Sequence, residues 1–207
     1  MSARRTWRAV AARAASILLR YPDAEILTAL PTLRAALAGL PPKVAGPLGD
    51  VAAQLATRAP DEVAAHYVDL FDFRRRCCLY LTYYTHGDTR LRGGALADFA
   101  AAYRRAGLVV ADGELPDYLP AVLDLAAVDD AGWALLRANR VGLSLLADAL
   151  AKDRSVYRRA VDAVLASLPR AGRRERAAAA RAARTGPPTE LVGLEPFTAA
   201  PGVEVRR

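Results

Sequence analysis

An all-α fold is predicted for this sequence by three observations. β-branched residues are scarce, with 2 Ile and 16 Val against 46 Ala and 29 Leu in 207 residues, so helix formers dominate. No Val/Ile-rich run of the kind a sandwich or a parallel sheet needs is present. Apolar residues recur with a helical period, and Pro or Gly breaks the chain at helix-length intervals.

Each element can be justified in turn. Trp7, Val10, Ala14, Ile17 and Leu18 give a first helix over about 6–19, stopped at Tyr21-Pro22. A second spans about 24–39, interrupted or restarted at Pro31. A third follows Pro41-Pro42, with a break expected at Pro47, and runs to about Ala59. Pro60-Asp61-Glu62 opens a fourth with Pro and acids in its first turn, and Val63, Tyr67, Leu70 and Phe71 are its apolar positions. Over 92–106, Leu96, Phe99, Ala100 and Tyr103 share a face, and Gly107 sits where a helix-ending glycine belongs. Asp117 is placed to cap a helix whose face is Leu119, Val122, Leu123 and Ala126, with Pro120 in the first turn. The longest helix is predicted over 130–152, carrying Leu135, Leu136, Leu143, Leu146 and Leu150. Ser155 caps another through Leu168. An Ala/Arg helix over 171–185 has no bulky apolar face, and the tail after Gly186-Pro187-Pro188 reads as extended. The organisation is thus a helical domain over 1–168, with an Arg/Ala-rich terminal helix and tail over 169–207.

The apolar content, 53%, excludes a disordered chain. No apolar run is long enough to span a bilayer, and two adjacent cysteines cannot form a disulfide framework. Net charge is +7, but the excess lies at the ends. Residues 1–20 hold five Arg and no acid, and residues 170–185 hold six Arg and one Glu. The body is slightly acidic, which argues against the basic stripe of a nucleic-acid binder. Arg8 and Arg13 interrupt the apolar stretch that an export signal requires. The first segment is therefore read as an amphipathic helix and the protein as cytoplasmic.

Catalytic motifs are lacking. Glu62, His66 and Asp69 share a helix face, the spacing of a metal site and equally of a solvated face. Cys77-Cys78 lacks redox or zinc spacing, and one buried structural cysteine is expected. There is no G-x-G phosphate loop, no H-E-x-x-H and no G-x-S-x-G. Asp88 and Asp117 are candidates for paired carboxylates only if the fold brings them together. Arg74-Arg75-Arg76 has the charge to bind phosphate, but is read first as a solvated helix end or as pairing with Asp69 and Asp72. Aromatic residues crowd one window: Tyr67, Phe71, Phe73, Tyr80, Tyr83 and Tyr84, against 7% aromatic in the whole chain. Such a cluster lines either a core or a groove that receives an amphipathic helix.

The segments Tyr67–Asp72, Arg74–Arg90 with its His86-Gly87-Asp88-Thr89-Arg90-x-Arg92-Gly93 run, and Glu114-Leu115-Pro116-Asp117-Tyr118-Leu119-Pro120 resemble the nitrate reductase molybdenum cofactor assembly chaperones. This is the NarJ, or delta subunit, family, related to the TorD and DmsD maturation chaperones. Leu18–Asp23 adds to the likeness, which covers about residues 10–168. The resemblance implies a single-domain helical bundle of the TorD/NarJ type, with no catalysis and no cofactor of its own. It implies binding to the N-terminal segment of the apo catalytic (alpha) subunit of respiratory nitrate reductase, which is held until its molybdenum cofactor is inserted. It also implies contact with molybdenum cofactor biosynthesis proteins, no nucleic-acid partner and no stable membrane association. The peptide-binding residues expected on this basis are Tyr67, Phe71, Tyr80, Tyr83, His86, Asp88, Arg90, Asp117 and Tyr118. Several relatives have His where Tyr118 stands, and some have a longer acidic C-terminal region. Two other readings stay open: a Tat-type proofreading chaperone for another molybdoenzyme, and a small helical nucleic-acid-binding regulator.

Overall fold

The computed structural model describes residues 3–111 and 113–185. Eleven α-helices are found there: α1 (Ala3–Leu18), α2 (Ala24–Leu37), α3 (Pro42–Thr57), α4 (Pro60–Phe71), α5 (Tyr83–His86), α6 (Leu91–Arg105), α7 (Leu119–Val128), α8 (Asp130–Ala138), α9 (Arg140–Lys152), α10 (Tyr157–Ser167) and α11 (Arg173–Thr185). A 3-10 turn, Arg75–Cys77, follows α4. The only β pairing among the described residues is one antiparallel bridge, Tyr80 with Tyr118. The all-α prediction holds.

α1 is the central strut, packed against α7, α10, α2 and α3. Its buried face is small: Ala11, Ala12, Ala14 and Ala15, closed by Leu18 and Leu19. Small side chains let neighbouring helices approach closely, and Leu48, Val51, Leu123, Leu146 and Val161 fill the space around them. α10 packs on α3 and α9, and α11 on α9.

Gly107 and Ser155 act where expected, and Asp23 and Asp129 supply two caps beyond those expected. Asp23 caps α2, its Oδ1 accepting from Ile26 N at 2.9 Å. Asp129 caps α8, accepting from Ala131 N at 2.7 Å. α6 ends with Gly107 at φ +71°, Gly107 N donating to Arg104 O and Leu108 N to Tyr103 O, a left-handed closure that glycine adopts without strain. Ser155 Oγ accepts from Tyr157 N at 3.3 Å at the start of α10.

Three expectations are corrected. Pro31 and Pro47 do not break α2 or α3; both lie inside continuous helices. Each forfeits one backbone bond, and burial of Leu30, Leu33 and Leu37 in α2, and of Val44, Leu48, Val51 and Leu55 in α3, outweighs that loss. The long 130–152 helix is two helices meeting at Asn139, whose φ, ψ are −97°, 21°. α9 brings Gly142 so close to residues 81–84 that a Cβ added there would stand 3.2 Å from Leu81 O and 3.3 Å from Tyr84 Cβ. Asp117 does not cap α7, because its carboxylate is engaged elsewhere.

Tyr157 is fully buried and packs edge-on to Tyr67 and Phe71. Its hydroxyl has no hydrogen-bond partner among the described residues. Tyr157→Phe should therefore raise stability by about 1 kcal/mol, since a buried unpaired hydroxyl is removed with little change in shape. Urea denaturation checks this; a loss of stability would mean that the hydroxyl is satisfied in solution.

Candidate functional site

The chain leaving α4 forms a strap over residues 72–82, pinned from several sides. Asp153, at the end of α9, accepts from Arg74 Nη1 and Arg76 Nη2 at 2.6 Å each, and Arg74 also pairs with Asp69 at 2.5 Å. The Arg76 hydrogen bond leads the causes that hold the Asp153 carboxyl below its usual range. Cys77 lies under this cluster, its Sγ 3.3 Å from Asp153 Oδ2. Burial first, and then the carboxylate, push its thiol up to about 12, so Cys77 is an inert packing residue. Arg75 pairs with Asp88 instead. The arginine run is a set of ties, to Asp69 as expected but to Asp153 and Asp88 rather than Asp72.

The two segments singled out in the sequence then meet. Leu81 N donates to Asp117 O at 3.1 Å and Leu119 N to Leu79 O at 2.8 Å, on either side of the Tyr80–Tyr118 bridge. Asp117 is fully buried. Its Oδ2 accepts from Thr82 N at 3.0 Å and from Thr82 Oγ1 at 2.5 Å. Arg92 donates to Thr82 Oγ1 at 3.0 Å and stands 3.6 Å from both Asp117 Oδ2 and Asp88 Oδ1. Asp88 and Asp117 are thus joined through one guanidinium. No reacting pair of carboxylates is formed, because Arg92 occupies the space between them.

The nine expected binding residues separate into three groups. Tyr67, Phe71 and Asp117 are buried. Tyr67 donates to Leu19 O at 3.0 Å and lies 3.3 Å, hydroxyl to hydroxyl, from Tyr118. Tyr80, Tyr83, His86 and Tyr118 are half-buried. The rings of Tyr80 and Tyr118 are 5.7 Å apart, and the Tyr80 hydroxyl donates to Glu114 Oε1 at 3.2 Å. Burial, then the Glu114 carboxylate, push that hydroxyl up to about 12. His86 Nδ1 is 2.9 Å from Thr85 Oγ1. Asp88 and Arg90 are exposed, Arg90 at the start of α6.

Cavities open beside the tyrosine pair. A pocket of about 330 Å³ is lined by Phe71, Arg75, Tyr80, Tyr83, Asp88 and Arg92. A larger cleft of about 810 Å³ takes Tyr118 as wall, with Ile17, Tyr21, Leu108, Val109 and Val128. A third of about 640 Å³ continues it between α1, α2 and α7, lined by Val10, Ala14, Ile17, Ala29, Leu33 and Val128. The last two share Arg13, Ile17, Ala29, Asp124 and Val128, so they form one groove. It follows α1 for about 12 Å from Ala9 to Ile17 alone, at 1.5 Å per residue. Arg13 and Arg20 both pair with Asp124 within it, while Asp23, Glu25 and Glu114 give the Tyr118 end an acidic rim. Among the described residues no cluster of His, Cys, Asp or Glu is arranged to hold a metal. Glu62 is instead paired with Arg58, and His66 stacks on Tyr157.

The groove residues of α1, α2 and α7 were not expected from sequence. The signal was Leu108-Val109-Val110, an apolar triplet in a loop, with Val109 93% exposed, and Val128, 71% exposed at the end of α7.

A crystal structure of a redox enzyme maturation protein from Archaeoglobus fulgidus matches the fold. Its TM-score is 0.57 at 21% identity, covering 79% of this chain and 92% of that one. The nitrate reductase-like protein NarX of Mycobacterium tuberculosis is 41% identical over 160 residues, 76% of this chain, which spans only 24% of that relative's length. A protein of Bacillus subtilis named as a probable nitrate reductase molybdenum cofactor assembly chaperone is 32% identical over 82% of this chain and 94% of its own. The Escherichia coli K12 protein named as such a chaperone is 38% identical over 54% of this chain and 49% of its own. No described helix is long and apolar enough to cross a membrane. Together with the match of residues 22–172 to the nitrate reductase delta subunit model, these likenesses establish that the chain belongs to the nitrate reductase delta subunit family.

Proposed function

We propose that this chain is a cytoplasmic assembly chaperone for a molybdenum-containing nitrate reductase, which grips the N-terminal segment of the apo catalytic subunit. The observation that carries this is the continuous apolar groove along α1, α2 and α7, walled by Tyr118 and rimmed by acids at one end. A groove between helices receives an amphipathic helix, with apolar anchors at i, i+3, i+4 and i+7. The acidic rim selects a basic residue at the end of the segment that meets Tyr118. Tyr80, Tyr83 and Asp88 line the adjoining pocket, with His86 and Arg90 nearby in sequence, as a receptor for one further side chain. Tyr67, Phe71 and Asp117 hold this surface from beneath. Contact with molybdenum cofactor biosynthesis proteins would then use surfaces outside the filled groove.

A chaperone must also let go. A dissociation constant of ~10 nM with an on-rate of ~10⁶ M⁻¹s⁻¹ gives an off-rate of ~10⁻² s⁻¹, a residence of about a minute. Calorimetric titration with a peptide of the catalytic subunit's N-terminal segment from the same organism tests the reading. Saturable 1:1 binding with a negative heat-capacity change is expected. No binding, or clear preference for a twin-arginine signal peptide of another molybdoenzyme, would reject this client.

A further inference from the structure

Four of the five arginines of α11 fall on one side of the helix. At 100° per residue, Arg173, Arg174, Arg181 and Arg184 occupy an arc of about 100°, and all four are exposed. Glu175, Ala178, Ala179 and Ala182 are half-buried on the opposite arc, the side on which α11 packs against α9. The one acid on this helix is turned inward: Glu175 Oε2 accepts from Gly172 N at 2.9 Å and lies 3.8 Å from Arg140 Nε. Arg140 also donates to Pro169 O, fixing the start of α11 to the start of α9. None of the four outer arginines has a carboxylate partner among the described residues.

The other basic end of the sequence arrives at the same place. Arg8 donates to Ser167 O through Nη2 at 2.6 Å and Nε at 3.2 Å, so the N-terminal end of α1 meets the α10–α11 connection. Arg4 and Arg5 lie about one turn before Arg8 on α1. Packing on α9 turns Glu175 and the half-buried alanines inward, which gathers four arginines on one outer arc.

We propose that this arginine-coated end is a reversible docking surface for an anionic lipid bilayer. The helix lies flat on the body and spreads its charges along about 16 Å of axis from Arg173 to Arg184, an array suited to a planar sheet of phosphates. Guanidinium groups pair with phosphate oxygens two bonds at a time. The large exposed apolar residues are Tyr21, Phe73, Leu91, Leu108, Val109, Leu115 and Val128, none of them on α11. α11 therefore carries no stacking platform for single-stranded nucleic acid and no wedge that would insert into the bilayer. Attachment is electrostatic, at headgroup level, and released by salt. No residue of α11 lines the peptide groove, so the outer arginines stay available while a client is held.

Flotation of the full chain with phosphatidylcholine vesicles containing about one third phosphatidylglycerol tests this. Binding is expected at about 50 mM salt and is lost near 0.5 M. Vesicles of phosphatidylcholine alone should not bind. R173Q/R174Q/R181Q/R184Q, which keeps good helix formers, should partition at least about tenfold more weakly with unchanged helicity. The corresponding four Arg→Lys changes keep the charge and should retain binding to within about threefold. Failure to float with anionic vesicles at low salt, equal binding by the Gln variant, loss in the Lys variant, or tighter binding to duplex DNA at equal phosphate concentration would each overturn the proposal.

Discussion

Replacing Asp117 by Ala is expected to lower the stability of the protein by about 3–4 kcal/mol, because it strands a buried donor and a partly buried charge at once. Thr82 N and Thr82 Oγ1 lose the oxygen they share at 3.0 and 2.5 Å. Arg92, whose side chain is 19% exposed, loses one of its two carboxylates. The backbone pairing of 79–81 with 117–119 loses its side-chain lock, and that pairing positions Tyr80 and Tyr118. Urea denaturation followed by circular dichroism measures the loss. Peptide affinity should fall in step with the folded fraction and recover under stabilising conditions. A variant of full stability that no longer binds would make Asp117 a direct contact, and burial would then have misled us. Asp117 is therefore a poor reporter of the groove, although its motif makes it the first residue one would mutate.

How far the sequence foretold this arrangement depends on the kind of signal. Caps and breaks are local, so Pro60, Gly107 and the start of α10 were legible. Pro31 and Pro47 misled because a missing backbone bond is a local cost, whereas the burial that offsets it is tertiary. The break at Asn139 left no mark on periodicity, since Leu136 and Leu143 remain one heptad apart across it. Beyond the break α9 meets the strap, a long-range contact that periodicity does not register. The aromatic window 67–84 was rightly singled out, but periodicity cannot tell core from groove. Tyr67, Phe71 and Tyr84 went inside, while Tyr80 and Tyr83 stayed at the surface. The groove itself is shared by the neighbouring helices α1 and α2 with α7, which begins only at Leu119. Only exposed apolar residues with no partner element, Val109 and Val128, betray it.

Those two valines support the sharpest test of where the client lies. Val109→Ser with Val128→Ser should leave stability within about 0.5 kcal/mol, because both side chains already face solvent in the free protein. If a target helix covers them, each loses about 1–1.5 kcal/mol of burial on binding, and the pair should weaken affinity by about 30- to 150-fold. Phe73→Ser is the matched comparison. Phe73 is 78% exposed and larger, yet lines neither groove cavity, so its loss should change affinity by less than about twofold. Calorimetry on the three proteins with one peptide separates the outcomes. A fall confined to the valine pair places the client along α1, α2 and α7. A fall confined to Phe73→Ser moves the docking face to the strap after α4, leaving the groove for another occupant. Equal small losses would show that the peptide is responding to general surface hydrophobicity, and a chaperone with a single client cannot rest on that.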